Sequence, residues 1–413
     1  MNPLYNTGIH LYRMAARMVS GHNPKAKLLV EGQHNVGACL KGRIEPGDRP
    51  VWVHAASLGE FEQARPLIEK LRRLQPSRKI LLTFFSPSGY EVRKNYNQVD
   101  AVCYLPFDTP YNAEQFVQWV NPSMAIFVKY EFWGNYLQQL HKRHIPTYLI
   151  SAIFRPSQSF FQWWGVMFRN MLRCYDHLFV QDERSRELLA SIGVTNVTVA
   201  GDTRFDRVTD ILKTSAHTPV LEDFRSPGHT VLVVGSSWEA DEQRYLPWLN
   251  SRPDVKAIIA PHEFNEERLQ KLAASINGKT VRLSELEADP ASHADARCVI
   301  VDCFGRLSAL YRYGDIAYVG GGFGAGIHNI NEAAVYGMPV VFGPNHHKFK
   351  EASDLIECGG GFGVANEADI ASTLTLLTDN RVARRKAGEA AGHYISTHLG
   401  ATQKIIESLG LDK

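Results

Sequence analysis

The chain is short of the features that most quickly betray a function. Its six cysteines, Cys39, Cys103, Cys174, Cys298, Cys303 and Cys358, are scattered with no Cys-x-x-Cys pair. That spacing removes zinc-ribbon and disulfide-scaffold readings and suits a reducing compartment. Adjacent His346 and His347 have no acidic or thiol ligand pattern beside them, so no metal site is called for. Charge of one sign is also missing. With 45 Lys and Arg against 43 Asp and Glu, the formal net charge is +2, which excludes an acidic tail or a strongly basic nucleic-acid protein as the main theme. There is no internal repeat beyond a loose echo between two halves, no low-complexity tract, and no expected cleavable signal peptide.

What is present is apolar material in quantity. Residues of that kind make up 44% of the 413 positions, enough for two cores, and the length favours two domains. Short apolar runs alternate with helical patterns. Val51–Val53, Ile80–Phe84, Val102–Leu105, Ala125–Val128, Tyr148–Ile150 and Leu178–Val180 read as strands in the first half. Val231–Val234, Ala257–Ala260, Val299–Val301, Ile316–Val319 and Val340–Phe342 do so in the second. Strands spaced by helices indicate parallel α/β layers. The segment Val208–Thr230, with its prolines and polar residues, is the best boundary.

The most informative run is Gly320-Gly321-Gly322-Phe323-Gly324-Ala325-Gly326-Ile327-His328-Asn329-Ile330-Asn331-Glu332. It follows an apolar strand and leads into a helix-forming stretch. Bare amides and a helix N-terminus at the carboxyl end of a strand suit an anion such as phosphate. The run lacks the Gly-Lys-Ser/Thr ending of an ATPase phosphate loop. It also comes late in the chain, which counts against a nicotinamide dehydrogenase.

Other constellations follow strands. Ser57-Leu58-Gly59-Glu60 has capping-box spacing. Glu60 either satisfies a backbone amide or stands at a cleft rim as a general base, with Gly59 leaving room for a bulky substrate. Glu131, between aromatics in Lys129-Tyr130-Glu131-Phe132-Trp133, is a candidate to orient Ser57 or Lys129 or to touch a polar substrate; a buried, paired carboxylate with a structural role competes equally. Arg204, in Gly201-Asp202-Thr203-Arg204-Phe205-Asp206, can meet a carboxylate or phosphate bidentately; a salt bridge to Asp202 or Asp206 competes. In the second half, Ser236 and Ser237 offer hydroxyls after one strand and His262 an imidazole after another, as readily structural as a phosphate or carboxylate donor. Phe304-Gly305-Arg306-Leu307 suits a helix start above the sheet, and Asn329 and Glu332 flank the first turn after the glycine run. Glu332 suits ribose hydroxyls.

The stretch Leu4–Val19 is apolar on one face but interrupted by His10, Arg13 and Arg17. It is too short and too charged to span a bilayer comfortably. Arg13 and Arg17 share one helical face. An interfacial helix on an anionic leaflet competes with an ordinary packed helix.

Taken in order, these motifs resemble the bacterial 3-deoxy-D-manno-octulosonic acid (Kdo) transferases of lipopolysaccharide synthesis. The stretches that carry the resemblance are His54–Glu60, Tyr130-Glu131-Phe132-Trp133, Gly201–Asp206, Gly320-Gly321-Gly322, His328–Ala333, and Gly343-Pro344-Asn345 with Phe349 and Lys350. The ordered set runs from the first helix to the last.

The resemblance implies a GT-B glycosyltransferase with two Rossmann-like α/β domains facing across a cleft and an N-terminal membrane-proximal helix. The implied division is a membrane-proximal helix at 1–30, a lipid acceptor domain at 31–210, a donor domain at 211–381, and a C-terminal helix at 382–413 returning to the first domain. The donor would be CMP-Kdo, a co-substrate and not a cofactor. The acceptor would be a tetra-acylated lipid A precursor at the cytoplasmic face of the inner membrane. Glu60 would be the catalytic base, with Ser57, Gly59, Glu131 and Arg204 on the acceptor or anion side. Ser236, Ser237, His262, Phe304, Gly305, Arg306, Gly321, Gly322, Asn329 and Glu332 would serve the donor. No metal and no nucleic acid are implied.

Two positions depart from the family pattern. Pro261 stands where many members have an arginine, and Trp238 replaces a polar residue. The lost anion contact would then fall to Arg306 or Lys348. Another GT-B enzyme using a UDP-sugar and a noncatalytic lipid-binding module are the rival readings.

Overall fold

In the computed structural model the described residues are 3–45, 47–214, 217–225 and 228–412. They form two compact units, one of Met1–Arg207 with Leu399–Lys413 and the other of Val208–His398. Each is a seven-stranded sheet flanked by helices, and every pairing between described strands is parallel.

The first unit contains β1 (Val51–His54), β2 (Ile80–Phe84), β3 (Ala101–Tyr104), β4 (Met124–Val128), β5 (Thr147–Ala152), β6 (His177–Val180) and β7 (Val197–Val199). Their order across the sheet is β3-β2-β1-β4-β5-β6-β7. The chain winds outward one way from β1, then returns to β4 and winds the other way. The switch therefore lies between β1 and β4, where His54 is in register with Phe127. Near-continuous apolar runs are what a sheet covered on both faces demands. Trp52, Phe127 and Tyr136 are fully buried on one side, and Phe61, Ile68 and Phe84 on the other.

The second unit repeats the plan with β8 (Thr230–Ser237), β9 (Val255–Pro261), β10 (Thr280–Arg282), β11 (Cys298–Ile300), β12 (Ile316–Val319), β13 (Val340–Phe342) and β14 (Gly361–Gly363). Its order is β10-β11-β9-β8-β12-β13-β14, so the switch falls between β8 and β12, with Gly235 opposite Val319. Parallel open sheets bind ligands just beyond the carboxyl ends of the strands at such a switch. Each unit thus has one place where the topology favours a site.

Helix Pro3–Val19 has no buried residue. It is nonetheless tied down: the Tyr5 hydroxyl donates to Asp108 Oδ2 at 2.6 Å and accepts from the Gly134 amide at 3.1 Å. Asn135 Nδ2 donates to Asn6 Oδ1 at 2.9 Å. No helix among the described residues is long and apolar enough to cross a membrane.

Candidate functional site

At the switch of the first unit, the chain leaves β1 and enters helix Leu58–Leu74 almost at once. Ser57 occupies the N-cap with extended backbone, yet its side chain caps no amide. Its hydroxyl donates to Glu60 Oε2. The capping-box spacing is therefore used differently: Glu60 is held by Ser57 and not by a backbone amide. Glu60 is half-buried in the first helical turn, where the helix dipole favours a carboxylate. Gly59 is exposed, and a Cβ there would meet only Ser57 Oγ at 3.7 Å. Its glycine leaves open space beside Glu60 that the fold itself does not require.

Glu131 follows β4 on the other side of the switch, but it turns inward. His54 Nε2 lies 3.1 Å from its Oε2, and Trp133 Nε1 donates to the same oxygen at 2.5 Å. Its backbone carbonyl accepts from the Tyr175 hydroxyl. Of the alternatives the sequence left open for Glu131, the structure shows the buried, paired carboxylate, with no bond to Ser57 or Lys129 among the described residues. Lys129 itself takes a left-handed φ of 67° and places Nζ 5.3 Å from the Tyr130 ring.

Arg204 forms the salt bridge that the sequence offered as the competing reading. Its Nε and Nη2 donate to Asp202 Oδ2 at 3.0 and 2.8 Å. Asp202 is buried and also receives Gln63 Nε2 from helix Leu58–Leu74. Burial alone would raise its pKa; Arg204 and Gln63 outweigh that and hold it below the usual carboxylate range. The Thr203 hydroxyl donates to the Gln63 carbonyl at 2.6 Å. The loop thus locks the helix that carries Glu60. Asp206 instead accepts from the amides of Gly400 and Thr402 at 2.7 and 2.6 Å, at the start of helix Ala401–Ser408.

At the switch of the second unit, the glycine run is built differently from its sequence reading. The amides of Gly320, Gly321, Gly324, Gly326 and His328 are engaged by the protein itself. The helix that follows, Asn331–Ala334, is only four residues long. The run is chiefly a close-packed turn. Gly321 has φ 92°, and a Cβ on Gly322 would lie 2.6 Å from the Gly343 backbone.

Asp241, not singled out from sequence, supports this turn from within. It is buried and accepts from the Gly321 amide at 2.9 Å, the Trp238 amide at 3.1 Å and the Tyr318 hydroxyl at 3.1 Å. Burial raises its pKa despite these donors. The signal was available: Asp241 stands three residues after Trp238 at a helix start, which is capping spacing.

Six of the ten expected donor residues divide between two hollows. Ser236, His262, Phe304 and Gly305 line a cavity of about 320 Å³ together with Cys303 and Leu307. Ser237 and Gly321 line a cavity of about 710 Å³ with Trp238, Phe264, Arg268 and His328. Ser236 has the left-handed φ of 50° that turns the chain from β8 toward these hollows. Ser237 Oγ donates inward to Glu242 at 2.9 Å. Phe304, 74% exposed, stacks on Phe264 with centroids 4.6 Å apart.

Gly322, Arg306, Asn329 and Glu332 line neither hollow. Glu332 receives the Ser308 hydroxyl on one oxygen and Asn329 Nδ2, at 3.0 Å, on the other. Arg306 is committed to Glu287 and Thr218, each at 2.8 Å, which counts against its expected role as an anion contact beside His262. Among the described residues, no three His, Cys, Asp or Glu side chains gather as a metal ion would need.

Comparison with known proteins adds a family signal. Residues 14–207 match the family model of 3-deoxy-D-manno-octulosonic-acid transferase (kdotransferase). The chain is 29% identical over 335 residues to the 3-deoxy-D-manno-octulosonic acid transferase of Aquifex aeolicus, covering 79% of this chain and 85% of that one. It is 29% identical over 383 residues to the enzyme of the same name from Bordetella pertussis, covering 87% and 86%. Among solved structures, MurG of Acinetobacter baumannii aligns with TM-score 0.54 at 12% identity, over 87% of this chain and 99% of that one. UDP-GlcNAc 2-epimerase of Methanocaldococcus jannaschii aligns with TM-score 0.52 at 12% identity, over 84% and 99%. The structural likenesses show the fold alone, a GT-B-like pair of Rossmann-type sheets.

Proposed function

Because this chain belongs to the bacterial 3-deoxy-D-manno-octulosonic acid (Kdo) transferases and is an enzyme of that general type, we propose that it carries Kdo from CMP-Kdo to the 6′-hydroxyl of a tetra-acylated lipid A precursor, lipid IVA, with inversion at the anomeric carbon. Glu60 is the general base in this reading. The observation that carries it is the Ser57-held carboxylate at the β1–β4 switch, beside the space left by Gly59.

In the reaction, Glu60 takes the hydroxyl proton of the acceptor sugar as its oxygen bonds to C2 of Kdo. The bond from C2 to the phosphate oxygen breaks, and CMP leaves with the electron pair. Positive charge develops at C2 and the ring oxygen, negative charge on the phosphate. Ser57 donates to one oxygen of Glu60, which orients the carboxylate; a positioned base of this kind contributes roughly 10²–10⁴-fold. Arg204 and Asp202 fix the helix bearing Glu60, so their contribution is positional.

The second unit holds the donor. Glu332 takes ribose hydroxyls, with Asn329 setting its orientation, while Ser236, His262 and Gly305 meet the phosphate and the sugar carboxylate around the smaller hollow. With most amides of the glycine run already engaged, side-chain donors carry more of the anion recognition than a helix dipole does.

The N-terminal helix rests on an anionic membrane at the cytoplasmic face of the inner membrane. It exposes Leu4 (80%), Leu11, Met14 and Met18 (70%). Arg13 and Arg17 border a hollow of about 170 Å³ with Gln33, whose Nε2 has no hydrogen-bond partner. Apolar side chains beside paired cations suit a phospholipid interface.

The test is incubation of purified protein with CMP-Kdo and detergent-dispersed lipid IVA, read by lipid mass, beside Glu60→Gln. Kdo-sized increments in the wild type, and almost none in the variant, support the reading. Equal activity in both removes Glu60 as the base. No increment in either, with folding and lipid binding confirmed, removes the donor or acceptor.

A further inference from the structure

Trp238, just after β8, has two partners. Its indole Nε1 donates to His328 Nε2 at 3.1 Å. Its ring stacks on His262 with centroids 4.6 Å apart and planes 26° from parallel, and His262 stacks on His328 at 4.3 Å and 28°. Residues from three separate loops, after β8, β9 and β12, are thereby joined in one stack. His328 and Trp238 line the larger hollow, and His262 lines the smaller.

We propose that Trp238 is a positioning residue of the donor site, holding His328 as the neutral tautomer protonated at Nδ1 and fixing the His262 ring beside the smaller hollow. This rests on the reading of the second unit as the donor site. The chemistry of the indole decides the tautomer. An indole nitrogen only donates, so the His328 nitrogen facing it must accept and carries no proton. An imidazolium would set N–H against N–H. Neutral His328 then keeps its Nδ1–H as an uncharged donor. Neither ring nitrogen of His262 has a protein hydrogen-bond partner among the described residues, which leaves them to a ligand.

The surroundings agree. Burial, then the neighbouring His262, pushes the His328 pKa down to about 4. Glu239, Glu263 and Arg268 line the same hollow. Arg268 is paired with Glu242 and Glu239, and Glu239 also with Lys271. Asp241 is committed to the Gly321 and Trp238 amides. Among the described residues, none of these carboxylates bonds to His328.

Trp238→Phe tests the role, because it keeps an aromatic ring in the stack and removes the N–H. The measurement is the ring ¹⁵N spectrum of His328 against pH, with the pH profile of kcat/KM for CMP-Kdo. In the wild type, Nδ1 is protonated and Nε2 is bare down to below pH 6. A hydrogen bond to the neutral form disfavours the charged form, so losing it raises the pKa. In the variant His328 populates both tautomers and titrates about one pH unit higher, and the acid limb of kcat/KM moves the same way. Wild-type His328 protonated at Nε2, or an acid limb that does not move, overturns the proposal. If the variant does not fold, the wild-type tautomer alone decides. The spectrum needs no turnover, so failure of the transferase reading shows separately, as absent product with the tautomer intact.

Discussion

His54 Nε2 lies 3.1 Å from Glu131 Oε2, and both side chains are buried. The pair ends a chain of bonds that fixes each proton. Trp52 Nε1 donates to Thr83 Oγ1 at 2.8 Å, and Thr83 Oγ1 is 2.8 Å from His54 Nδ1. With Trp52 as donor, the Thr83 hydroxyl is free to donate to Nδ1, which leaves the His54 proton on Nε2 facing the carboxylate. Thr83→Val keeps the shape but strands the indole N–H and the imidazole acceptor. It is expected to cost about 2–3 kcal/mol, measured by urea unfolding. A cost below about 0.5 kcal/mol would mean the chain of bonds is not formed.

Gly59 separates fold from function. It sits in a helix without a positive φ, and a Cβ there would make only an ordinary contact with Ser57 Oγ at 3.7 Å. Glycine within a helix is less favourable than most residues by about 0.5–1 kcal/mol. Gly59→Leu is therefore expected to leave the melting temperature unchanged or higher. It is also expected to raise KM for the lipid acceptor by roughly tenfold or more, since the side chain fills the space beside Glu60. A destabilised variant, or one with unchanged kinetics, would show that this space is not where the acceptor goes.

Much of the architecture was legible because a parallel sheet covered on both faces writes itself as apolar runs. The strands not read from sequence are β7, β10 and β14. All three lie at sheet edges and have three residues each. An edge strand pairs on one side only, so Val197-Thr198-Val199, Thr280-Val281-Arg282 and Gly361-Phe362-Gly363 need no continuous apolar run. Candidate-site motifs were legible in their placement where they follow a strand directly, as Ser57–Glu60 follows β1. Their partners were not. That Glu131 faces His54 depends on β1 and β4 being neighbours, a fact of strand order 77 residues apart in sequence. The glycine run misled in one respect, since its amides are spent on Gly235, Asp241 and the run's own carbonyls.

Asp108 gives the protein a pH dependence with a definite sign. It is buried, and its oxygens meet the Tyr5 hydroxyl at 2.6 Å and the amides of Asn135 and Tyr136 at 3.0 Å. Burial dominates those donors and pushes its pKa up to about 7. The unfolded value is about 3.9. Between the two, the folded state binds more protons than the unfolded, so stability falls as pH rises through this window and is level above it. The expected loss is roughly 1–3 kcal/mol, allowing for relaxation around the charge. Asp108→Asn forfeits one acceptor and is less stable overall, but its stability should be flat from pH 5 to 8. Urea midpoints across that range decide; parallel slopes for the two proteins would remove Asp108 as the cause.

The N-terminal helix can be tested apart from catalysis, because Leu11, Met14 and Met18 are exposed while other residues tie it down. Tyr5 and Asn6 make the tethers to Asp108, Gly134 and Asn135, and Tyr12 packs on Phe85 and Phe107, whereas Leu11, Met14 and Met18 are exposed. Substituting Arg13 and Arg17 by alanine removes two cations, each worth about 1 kcal/mol at an anionic surface. The expected effect is a roughly 10–30-fold loss of binding to vesicles containing phosphatidylglycerol, with little change on neutral phosphatidylcholine. Leu11→Asp with Met18→Asp removes the apolar part and should weaken binding to both vesicle types. Far-UV circular dichroism and the melting temperature should stay near wild type for each variant. Equal binding of the wild type to neutral and anionic vesicles would rule out the arginine pair as the attractive element, and binding unaffected by either variant would move the membrane contact off this helix altogether.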